Sequence, residues 1–259
     1  MTQAIIAEIQ QHLPQEKGKV IAIVGAGGKT SLMRYLAVNL PGVVICTTST
    51  KMFAKEAAFF DRDLIWEKGE PAVPELPAQF KNLLITNAAF ESGSGRKLEG
   101  LNQEQLALLK QVSEARQVPL IIEADGAKKR ALKAPEAWEP LIPEFTDLVM
   151  YVLGLAVLDK PLTEEIVFRS QLYARLTGVE IGEPVDLKSI LEYLKHPSGG
   201  QKGIPAQAKQ IAVFNLAGIA EPGQVDLELI WSELNGVYDS ILYTEISNGK
   251  LWEVPDAGG

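Results

Sequence analysis

The residue types best suited to chemistry lie together near the N-terminus, in Val24-Gly25-Ala26-Gly27-Gly28-Lys29-Thr30-Ser31. We call residues 24–31 the glycine loop. Glycines let a backbone approach phosphate groups closely, and backbone amides at a helix start supply partial positive charge. Lys29 would reach the terminal phosphates, and the hydroxyl of Thr30 would bind Mg²⁺. The residues predicted to bind the nucleotide cofactor, ATP or GTP, are Gly25, Ala26, Gly27, Gly28, Lys29, Thr30 and Ser31.

The spacing of the glycine loop departs from that of the common phosphate-binding loop, which would have a glycine in place of Ile23. The segment is a shorter form, Gly25-x-x-Gly28-Lys29-Thr30, and it resembles the loop of Mur-type ligases. The alternative is a tight glycine turn between a strand and a helix that binds nothing. The lysine and threonine after the paired glycines favour phosphate binding.

A second chemical signal is the pair of carboxylates in Ile121-Ile122-Glu123-Ala124-Asp125-Gly126. An apolar strand that ends in a carboxylate is how enzymes with a phosphate-binding loop hold Mg²⁺. Residues two apart on a strand face the same side, so Glu123 and Asp125 would share one site, one on the metal and one orienting a nucleophile. The predicted metal ligands are Thr30 and Asp125, and the predicted catalytic residues are Lys29, Glu123 and Asp125. The alternative is a strand that ends in an acidic turn, because Asp-Gly is a common turn pair.

Two further polar segments are predicted to contact a substrate. Lys128-Lys129-Arg130 is a local reversal of charge in an acidic protein, and it would bind phosphate or an anionic substrate. Thr47-Thr48-Ser49-Thr50-Lys51 ends the second strand, where ligands bind in open α/β sheets. We predict substrate contacts at Thr48, Lys51, Lys128 and Arg130. The alternatives are a solvated basic loop and a hydrogen-bonded turn.

Composition narrows the chemistry further. The 259 residues carry a net charge of −8, one cysteine and two histidines. One cysteine and two histidines are too few for a disulfide scaffold, for a zinc site of His and Cys, or for most histidine-driven catalysis. Any bound metal would therefore have oxygen ligands. Cys46, inside an apolar segment, is predicted to be a core residue and not a nucleophile. The acidic balance argues against nucleic-acid binding.

No segment is predicted to target or cross a membrane. The N-terminal stretch lacks the basic start of a signal peptide, and the longest apolar run, 148–158, is too short to span a bilayer. A reducing compartment is the default for a chain with one cysteine. We therefore expect a cytoplasmic protein.

The elements that would position these groups follow from the apolar patterns. Short apolar runs predict buried strands over residues 19–24, 43–47, 64–66, 83–86, 119–124, 147–153, 210–215 and, near an edge, 240–246. Helical spacing predicts helices over 4–13, 31–40, 102–116 (with Asn102 and Gln105 as a capping pair) and 163–176. This alternation predicts an α/β fold of the P-loop NTPase type, a mostly parallel sheet with helices on both faces. The predicted division is a nucleotide-binding core over 1–160 and a C-terminal part over 161–259 that continues the same sheet.

Taken together, these segments resemble the YqeC-like family of selenium-dependent hydroxylase accessory proteins, which is linked to selenium cofactor biosynthesis. The most specific match is EADGAKKRALKAP with the following EPLIP, and VGAGGKTSLM, TTSTKM, GLAVLDKPL and GIPAQAKQIAVFN also match. The resemblance spans most of the chain, from residue 18 to the neighbourhood of residue 220. It implies a role in maturing selenium-dependent molybdenum hydroxylases, with such a hydroxylase as a client protein.

The same resemblance implies roles for individual residues. Lys29 and Thr30 would contact nucleotide and Mg²⁺, and Asp125, Lys128 and Arg130 would lie in the active region. Through the matching segment Val167-Phe168-Arg169, it adds Arg169 to the predicted substrate contacts.

One segment departs from the family pattern. Members often carry an Asn-Lys-x-Asp motif after the late strand, which resembles the guanine-reading motif of GTPases, whereas this chain has Asn215-Leu216-Ala217-Gly218. The lysine and the aspartate are absent from this segment. Guanine specificity is therefore unsupported, because hydrogen bonding to the ring would have supplied it.

Three functions remain open from the sequence. The first is a Mg²⁺-dependent ATPase or GTPase that acts in cofactor maturation. The second is ATP-dependent ligation or phosphoryl transfer to a small anionic substrate, which the segment from Lys128 to Arg130 would hold. The third is a nucleotide-dependent binding module that binds a client enzyme and has negligible turnover of its own.

Overall fold

The computed structural model describes residues 6, 10–11, 18–67, 69–93, 95–219, 225–247 and 250–253, and the predicted helix over 4–13 lies almost entirely outside them. Elements are numbered in chain order. The strands are β1 (Val20–Gly25), β2 (Val44–Thr48), β3 (Met52–Phe53), β4 (Arg62–Ile65), β5 (Asn82–Thr86), β6 (Ala89–Phe90), β7 (Lys97–Leu98), β8 (Leu120–Glu123), β9 (Leu132–Lys133), β10 (Leu148–Gly154), β11 (Val167–Phe168), β12 (Lys209–Asn215), β13 (Ser240–Ser247) and β14 (Lys250–Glu253). The α-helices are α1 (Lys29–Asn39), α2 (Gln103–Arg116), α3 (Ser170–Thr177), α4 (Leu187–Lys195) and α5 (Leu227–Leu234), and short 3₁₀ helices cover Ala54–Phe59 and Leu155–Val157.

In the described part of the chain, one nine-stranded sheet has the order β14-β13-β12-β10-β1-β8-β2-β5-β4. Its strands are parallel except for β14, which pairs antiparallel with β13 at one edge. The predicted mostly parallel α/β sheet is therefore confirmed. The last three strands join the sheet that contains β1, while a division of the chain at residue 160 stays a prediction.

Side chains of the central strand β1 enter both layers of the core. Val20, Ala22 and Val24 pack into one apolar cluster, and Ile21 and Ile23 pack into the other. Helix α1 covers the second cluster, and α2, α4 and α5 cover the first. Burial on both faces is why strands of this sheet are apolar at consecutive positions instead of alternating positions.

The sheet brings the glycine loop and the carboxylates to the same edge. Strands β1 and β8 are adjacent and parallel, with Ile23 opposite Glu123. Strand β8 ends at Glu123 and β1 ends two residues further on, at Gly25, so the glycine loop lies beside the chain after β8, which carries Asp125. The carboxyl edge of a parallel sheet is the usual place for ligands.

The prediction of one helix over 163–176 is wrong in its first half. Val167–Phe168 is a short strand paired with β9, and helix α3 begins only at Ser170. Arg169 has a left-handed backbone with φ 63°, which interrupts a helix. The carboxylate of Glu164 accepts the N–H groups of Arg169 and Ser170 at 3.0 and 2.9 Å, and it thereby satisfies the start of α3.

Two helices, α4 and α5, were missed in the sequence. Each begins after an aspartate whose side chain accepts a backbone N–H of the first turn, Asp186 from Ser189 and Asp226 from Leu229. Aspartate is a common N-cap residue, so a signal for both starts was present. Among the described residues, none of the helices has the length and apolar content needed to cross a membrane.

Candidate functional site

The glycine loop lies tightly against the end of β10. Gly25 and Gly27 have positive φ values of 94° and 77°. A Cβ atom at Gly25 would lie 2.2 Å from the carbonyl oxygen of Val152, and one at Gly27 would lie 2.7 Å from the backbone nitrogen of Gly154. No other residue fits at either position unless the backbone moves. The glycines therefore make the close turn from β1 into α1 feasible.

The N-terminus of α1 differs from those of three other helices. Side chains of Asn102, Asp186 and Asp226 cap α2, α4 and α5. Gly28 stands at the equivalent position of α1, where no side-chain cap is found among the described residues, and the first turn has no acidic residue. The first N–H groups of a helix need acceptors, and an anion is a suitable one.

Two amides of the predicted phosphate-binding set have partners within the protein. The N–H of Gly25 donates to Oδ2 of Asp125 at 3.0 Å, and the N–H of Ala26 donates to the carbonyl oxygen of Val152 at 2.8 Å. These two residues shape the loop. The backbone amides of residues 27–31 stay as the predicted donors to an anion.

Glu123 and Thr30 meet beside the glycine loop. The hydroxyl of Thr30 donates to Oε2 of Glu123 at 2.8 Å. Glu123 is buried, and burial raises the pKa of its carboxyl, while the charge of Lys29 and the Thr30 hydroxyl act in the opposite direction. A carboxylate beside a hydroxyl offers two oxygen ligands to a hard cation.

Both carboxylate oxygens of Asp125 lie near cations, but among the described residues Oδ1 has no hydrogen-bond partner although it is buried. Oδ1 lies 3.2 Å from the ammonium of Lys29, and Oδ2 accepts the N–H of Gly25 and lies 3.0 Å from Nζ of Lys133. Lys29 also donates to the carbonyl oxygen of Gly25 at 2.7 Å. The structure thus brings the predicted catalytic residues Lys29, Glu123 and Asp125 together at the glycine loop. The two carboxylates have different partners there, since Glu123 contacts Thr30 and Asp125 contacts the lysines. Metal ligation by Asp125 stays a prediction.

Two residues outside the predicted site set lie behind Asp125: Lys133, which the sequence places only close after the basic run 128–130, and Glu139, which had no predicted role. The ammonium of Lys133 contacts Oδ2 of Asp125 and donates to Oε2 of Glu139 and to the carbonyl oxygen of Gly126, both at 2.8 Å. Arg169 in turn donates to both carboxylate oxygens of Glu139, at 2.5 and 3.2 Å. The available signal was a lysine between two apolar residues in ALKAP.

Two of the predicted substrate contacts lie at the end of β2 and just beyond it. The hydroxyl of Thr48 donates to the carbonyl oxygen of Glu123 at 2.9 Å, so Thr48 ties the end of β2 to β8. Lys51 is exposed, and its ammonium lies 5.1 Å from the ring centroid of Phe90. Contact of either residue with a substrate stays a prediction.

The other predicted substrate contacts surround the ribbon formed by β9 and β11. The ammonium of Lys128 lies 4.7 Å from the ring centroid of Phe168, and the guanidinium of Arg169 lies 4.4 Å from the same centroid. Arg130 donates from Nε to the carbonyl oxygen of Glu164 at 3.0 Å. Of these three cations Lys128 is the exposed one, while Arg130 and Arg169 are half-buried.

The late strand β12 also reaches the glycine loop. The side-chain amide of Asn215 donates to the carbonyl oxygen of Gly27 at 2.6 Å, and its oxygen accepts the N–H of Ala217 at 3.0 Å. The side chain therefore supports the loop from the side opposite to β8, because β12 and β8 lie on opposite sides of β1.

Among the described residues, no group of three or more His, Cys, Asp and Glu side chains is arranged to hold a metal ion. Mg²⁺ is usually bound through one or two protein oxygens together with substrate phosphates and water. The hydroxyl of Thr30 and the carboxylate of Glu123 fit that kind of site.

Comparison with known proteins gives one family. The profile of the YqeC protein family matches residues 21–171, a range that includes the glycine loop, both carboxylates and the Lys133–Glu139 pair. A protein of Escherichia coli (strain K12) with the name "Uncharacterized protein YqeC" is 30% identical over 222 residues, which cover 83% of either chain. No solved structure matches the chain.

Proposed function

The chain belongs to the YqeC family, whose name states no activity, and from its own site we propose that it is a Mg²⁺-dependent nucleotide-binding protein. The observation that carries the proposal is the position of Lys29, Thr30 and Glu123 around a helix start without a side-chain cap. In this arrangement the backbone amides of residues 27–31 and the ammonium of Lys29 bind the phosphates of ATP or GTP. Thr30 and Glu123 supply oxygen ligands for Mg²⁺.

The contacts favour Glu123 over Asp125 as the carboxylate nearest the metal. Glu123 has the Thr30 hydroxyl as its neighbour, whereas both oxygens of Asp125 face cations or a backbone N–H. Mg²⁺ supplies neutralisation of phosphate charge when it is bound. Asp125 then has a different task, which is to hold Lys29 in place before the nucleotide arrives.

The test is a binding panel of ATP, GTP, CTP and their diphosphates, with and without Mg²⁺. We expect Lys29→Ala to weaken nucleotide binding at least about a hundredfold, because it removes a buried charge at the phosphates. Asp125 keeps Lys133 as a partner in this variant, so the fold should survive. The control is Lys19→Ala, since Lys19 pairs with Asp147 at the start of β1. Equal nucleotide affinity in the wild type and the Lys29 variant would refute the proposal.

A second candidate function is phosphoryl transfer or ligation to a small anionic acceptor. The observation that favours it is the loop after Asp125, where Lys128 and Lys129 have consecutive left-handed backbones with φ 46° and 62° and exposed side chains. Such strain is costly for residues other than glycine, and it often accompanies functional sites. In this function the γ-phosphoryl group passes to an acceptor oxygen or selenium, and the nucleoside diphosphate leaves.

The second candidate is separated from simple hydrolysis by its product. A new acyl-phosphate or selenium–phosphate signal in ³¹P NMR, dependent on the acceptor, would support transfer. The double change Lys128→Gln and Lys129→Gln should raise the KM for the acceptor without changing nucleotide affinity. Lys188→Gln, on the exposed side of α4, is the matched control. Hydrolysis at an equal rate without any acceptor would count against transfer.

The family resemblance extends the proposal to maturation of selenium-dependent molybdenum hydroxylases. In that role the nucleotide site drives or gates an action on a client hydroxylase in the cytoplasm. Steady-state hydrolysis, measured with and without a purified hydroxylase, tests it. Hydrolysis that the hydroxylase stimulates would support an enzyme that acts on it. Nucleotide-dependent binding of the hydroxylase without hydrolysis would support a binding module. If the hydroxylase neither stimulates hydrolysis nor binds, it is not a client of this protein.

A further inference from the structure

Five alternating charges run from the glycine loop to the ribbon of β9 and β11. We call Lys29, Asp125, Lys133, Glu139 and Arg169, in this order, the charge chain. Consecutive members approach to 3.2, 3.0, 2.8 and 2.5 Å. The exposed fraction of their side chains is 4%, 4%, 1%, 14% and 17% in the same order, so the whole chain is shielded from water.

Lys133, at the centre of the charge chain, is almost fully buried among three oxygen partners of the protein. An ammonium group has three N–H donors. Lys133 donates to Glu139 and to the carbonyl oxygen of Gly126, and its third contact is Oδ2 of Asp125, an ion pair at 3.0 Å. An almost fully buried lysine is costly without compensating contacts, and Lys133 has two carboxylates and a carbonyl oxygen around it. Its effect on a ligand must therefore pass through the carboxylates that it contacts.

Asp125 is the member through which Lys133 reaches the glycine loop. One oxygen of Asp125 faces the ammonium of Lys29, and the other is shared by Lys133 and the N–H of Gly25. A bound phosphate competes with Asp125 for Lys29. When Lys29 turns to the phosphate, Asp125 would be a buried carboxylate without a cation, were it not for Lys133.

We propose that Lys133 is a positioning residue for the glycine loop, because it gives Asp125 a permanent cation and so frees Lys29 to bind a nucleotide phosphate. The inference rests on the proposed nucleotide site and names a residue that raises its affinity for nucleotide. Without Lys133, Asp125 holds Lys29 more tightly, and the phosphate has to displace a stronger partner. Neutralising Asp125 removes that competition and makes Lys133 dispensable for binding.

The test is a double-mutant cycle read out by nucleotide affinity. We expect Lys133→Met to weaken Mg²⁺–nucleotide binding about tenfold, the ratio typical of a hydrogen bond to a charged group. Adding Asp125→Asn to the Lys133→Met variant should restore most of the lost nucleotide affinity. Asparagine can still accept the N–H of Gly25, but it has no charge to retain Lys29. A lysine with a purely structural role would lower the unfolding temperature without this rescue.

Two variants keep the test decisive. Lys19→Met removes a lysine from another Lys–Asp pair, at the opposite end of β1, and should leave affinity unchanged. If Lys133→Met alone fails to fold, the double variant is compared with Asp125→Asn, since both leave the pair of Glu139 and Arg169 intact. Equal affinity of these two supports the proposal, and a tenfold weaker double variant overturns it.

Failure of the inference can be told apart from failure of the nucleotide site. If the wild type binds no nucleotide, the site itself is refuted, and hydrogen exchange at the Gly25 amide becomes the readout. Exchange there should be faster in folded Lys133→Met, because Asp125 loses the contact that orients it toward that N–H. If the wild type binds nucleotide and Lys133→Met binds equally well, the inference is refuted and the nucleotide site stands.

Discussion

The hydroxyl of Thr30 donates a hydrogen bond of 2.8 Å to the carboxylate of Glu123 across 93 positions of the sequence. This contact joins the first turn of α1 to the end of β8, and it exists because β1 and β8 are adjacent parallel strands. It brings a hydroxyl and a carboxylate together beside the glycine loop. The arrangement suits a cation that is shared between the protein and a phosphate.

Thr30→Ala is expected to reduce the gain in nucleotide affinity that Mg²⁺ provides by about tenfold or more. The reason is the loss of one oxygen ligand, while the loop amides and Lys29 still bind the phosphates. Affinity without Mg²⁺ should change little. Isothermal titration of ATP and GTP at several Mg²⁺ concentrations measures both quantities.

Thr30→Ser is the matched control, because it keeps the hydroxyl and should keep the Mg²⁺ dependence. Glu123→Gln should resemble Thr30→Ala if the two residues serve one cation. A Glu123→Gln variant with the full Mg²⁺ effect would contradict the assignment of Glu123 as the carboxylate nearest the metal.

Gly27→Ala is expected to destabilise the protein far more than Gly42→Ala, although both glycines have φ 77°. A methyl group at position 27 would lie 2.7 Å from the backbone of Gly154, whereas position 42 has nothing within 4 Å. We expect a cost of about 1 kcal/mol at Gly42 from the left-handed backbone and about 2 to 4 kcal/mol at Gly27. Urea unfolding measures the difference, and equal costs would show that the glycine loop has room to relax.

The sequence pattern predicted correctly those elements that depend on neighbouring residues in the sequence. Strand β1 is apolar at consecutive positions because both its faces are buried, and Asn102 and Gln105 form the capping box that their spacing predicted. The burial of Lys133 was not predicted, although its partners Asp125, Gly126 and Glu139 lie within eight residues of it, because these residues follow no regular spacing. Lys29 and Arg169, the two ends of the charge chain, come from distant segments. The charge chain therefore required the fold.

The error at residues 163–176 has a related cause. The apolar spacing there is helical, but the side chain of Glu164 takes the N–H groups that would have continued the helix, and Arg169 adopts a left-handed backbone. A side chain that bonds to nearby backbone competes with a helix, and spacing alone does not reveal it.

Glu139→Gln is expected to lower the free energy of unfolding at pH 7 by about 2 kcal/mol, because Lys133 and Arg169 lose a charged acceptor. Burial raises the pKa of the Glu139 carboxyl, but the hydrogen bonds and charges of Arg169 and Lys133 outweigh it, so the pKa lies below its ordinary value of 4.5. The stabilisation is thus complete above that value and is lost as the pH falls through the lowered pKa.

The pH dependence distinguishes this carboxylate from an exposed one. The difference in the free energy of unfolding between the wild type and Glu139→Gln should become smaller below the ordinary pKa of glutamate. Chemical denaturation at a series of pH values measures this difference. Glu114→Gln is the control, because Glu114 pairs with Lys110 on the surface of α2 and should cost no more than about 0.5 kcal/mol. A gap that stays constant down to pH 2 would contradict the role given to Glu139.

Cys46 is expected to be inert to thiol reagents in the folded protein. It is fully buried in β2, and burial raises the pKa of its thiol, so that neither access nor the reactive thiolate is available. A colorimetric thiol assay should detect no reactive group in native buffer and one per chain in denaturant. An unreactive Cys46 could not carry selenium, so any action of the protein in selenium chemistry would depend on its nucleotide site and on a partner protein.

Ser232→Cys provides the positive control, since Ser232 is exposed on α5 and a thiol there should react at once. The same variant shows that the reagent leaves the fold intact, because its second thiol should stay silent until denaturant is added. Rapid labelling of Cys46 in the native wild type would contradict the prediction. Such labelling would mean that β2 opens far enough to expose the thiol, and a covalent selenium carrier at Cys46 would then have to be considered.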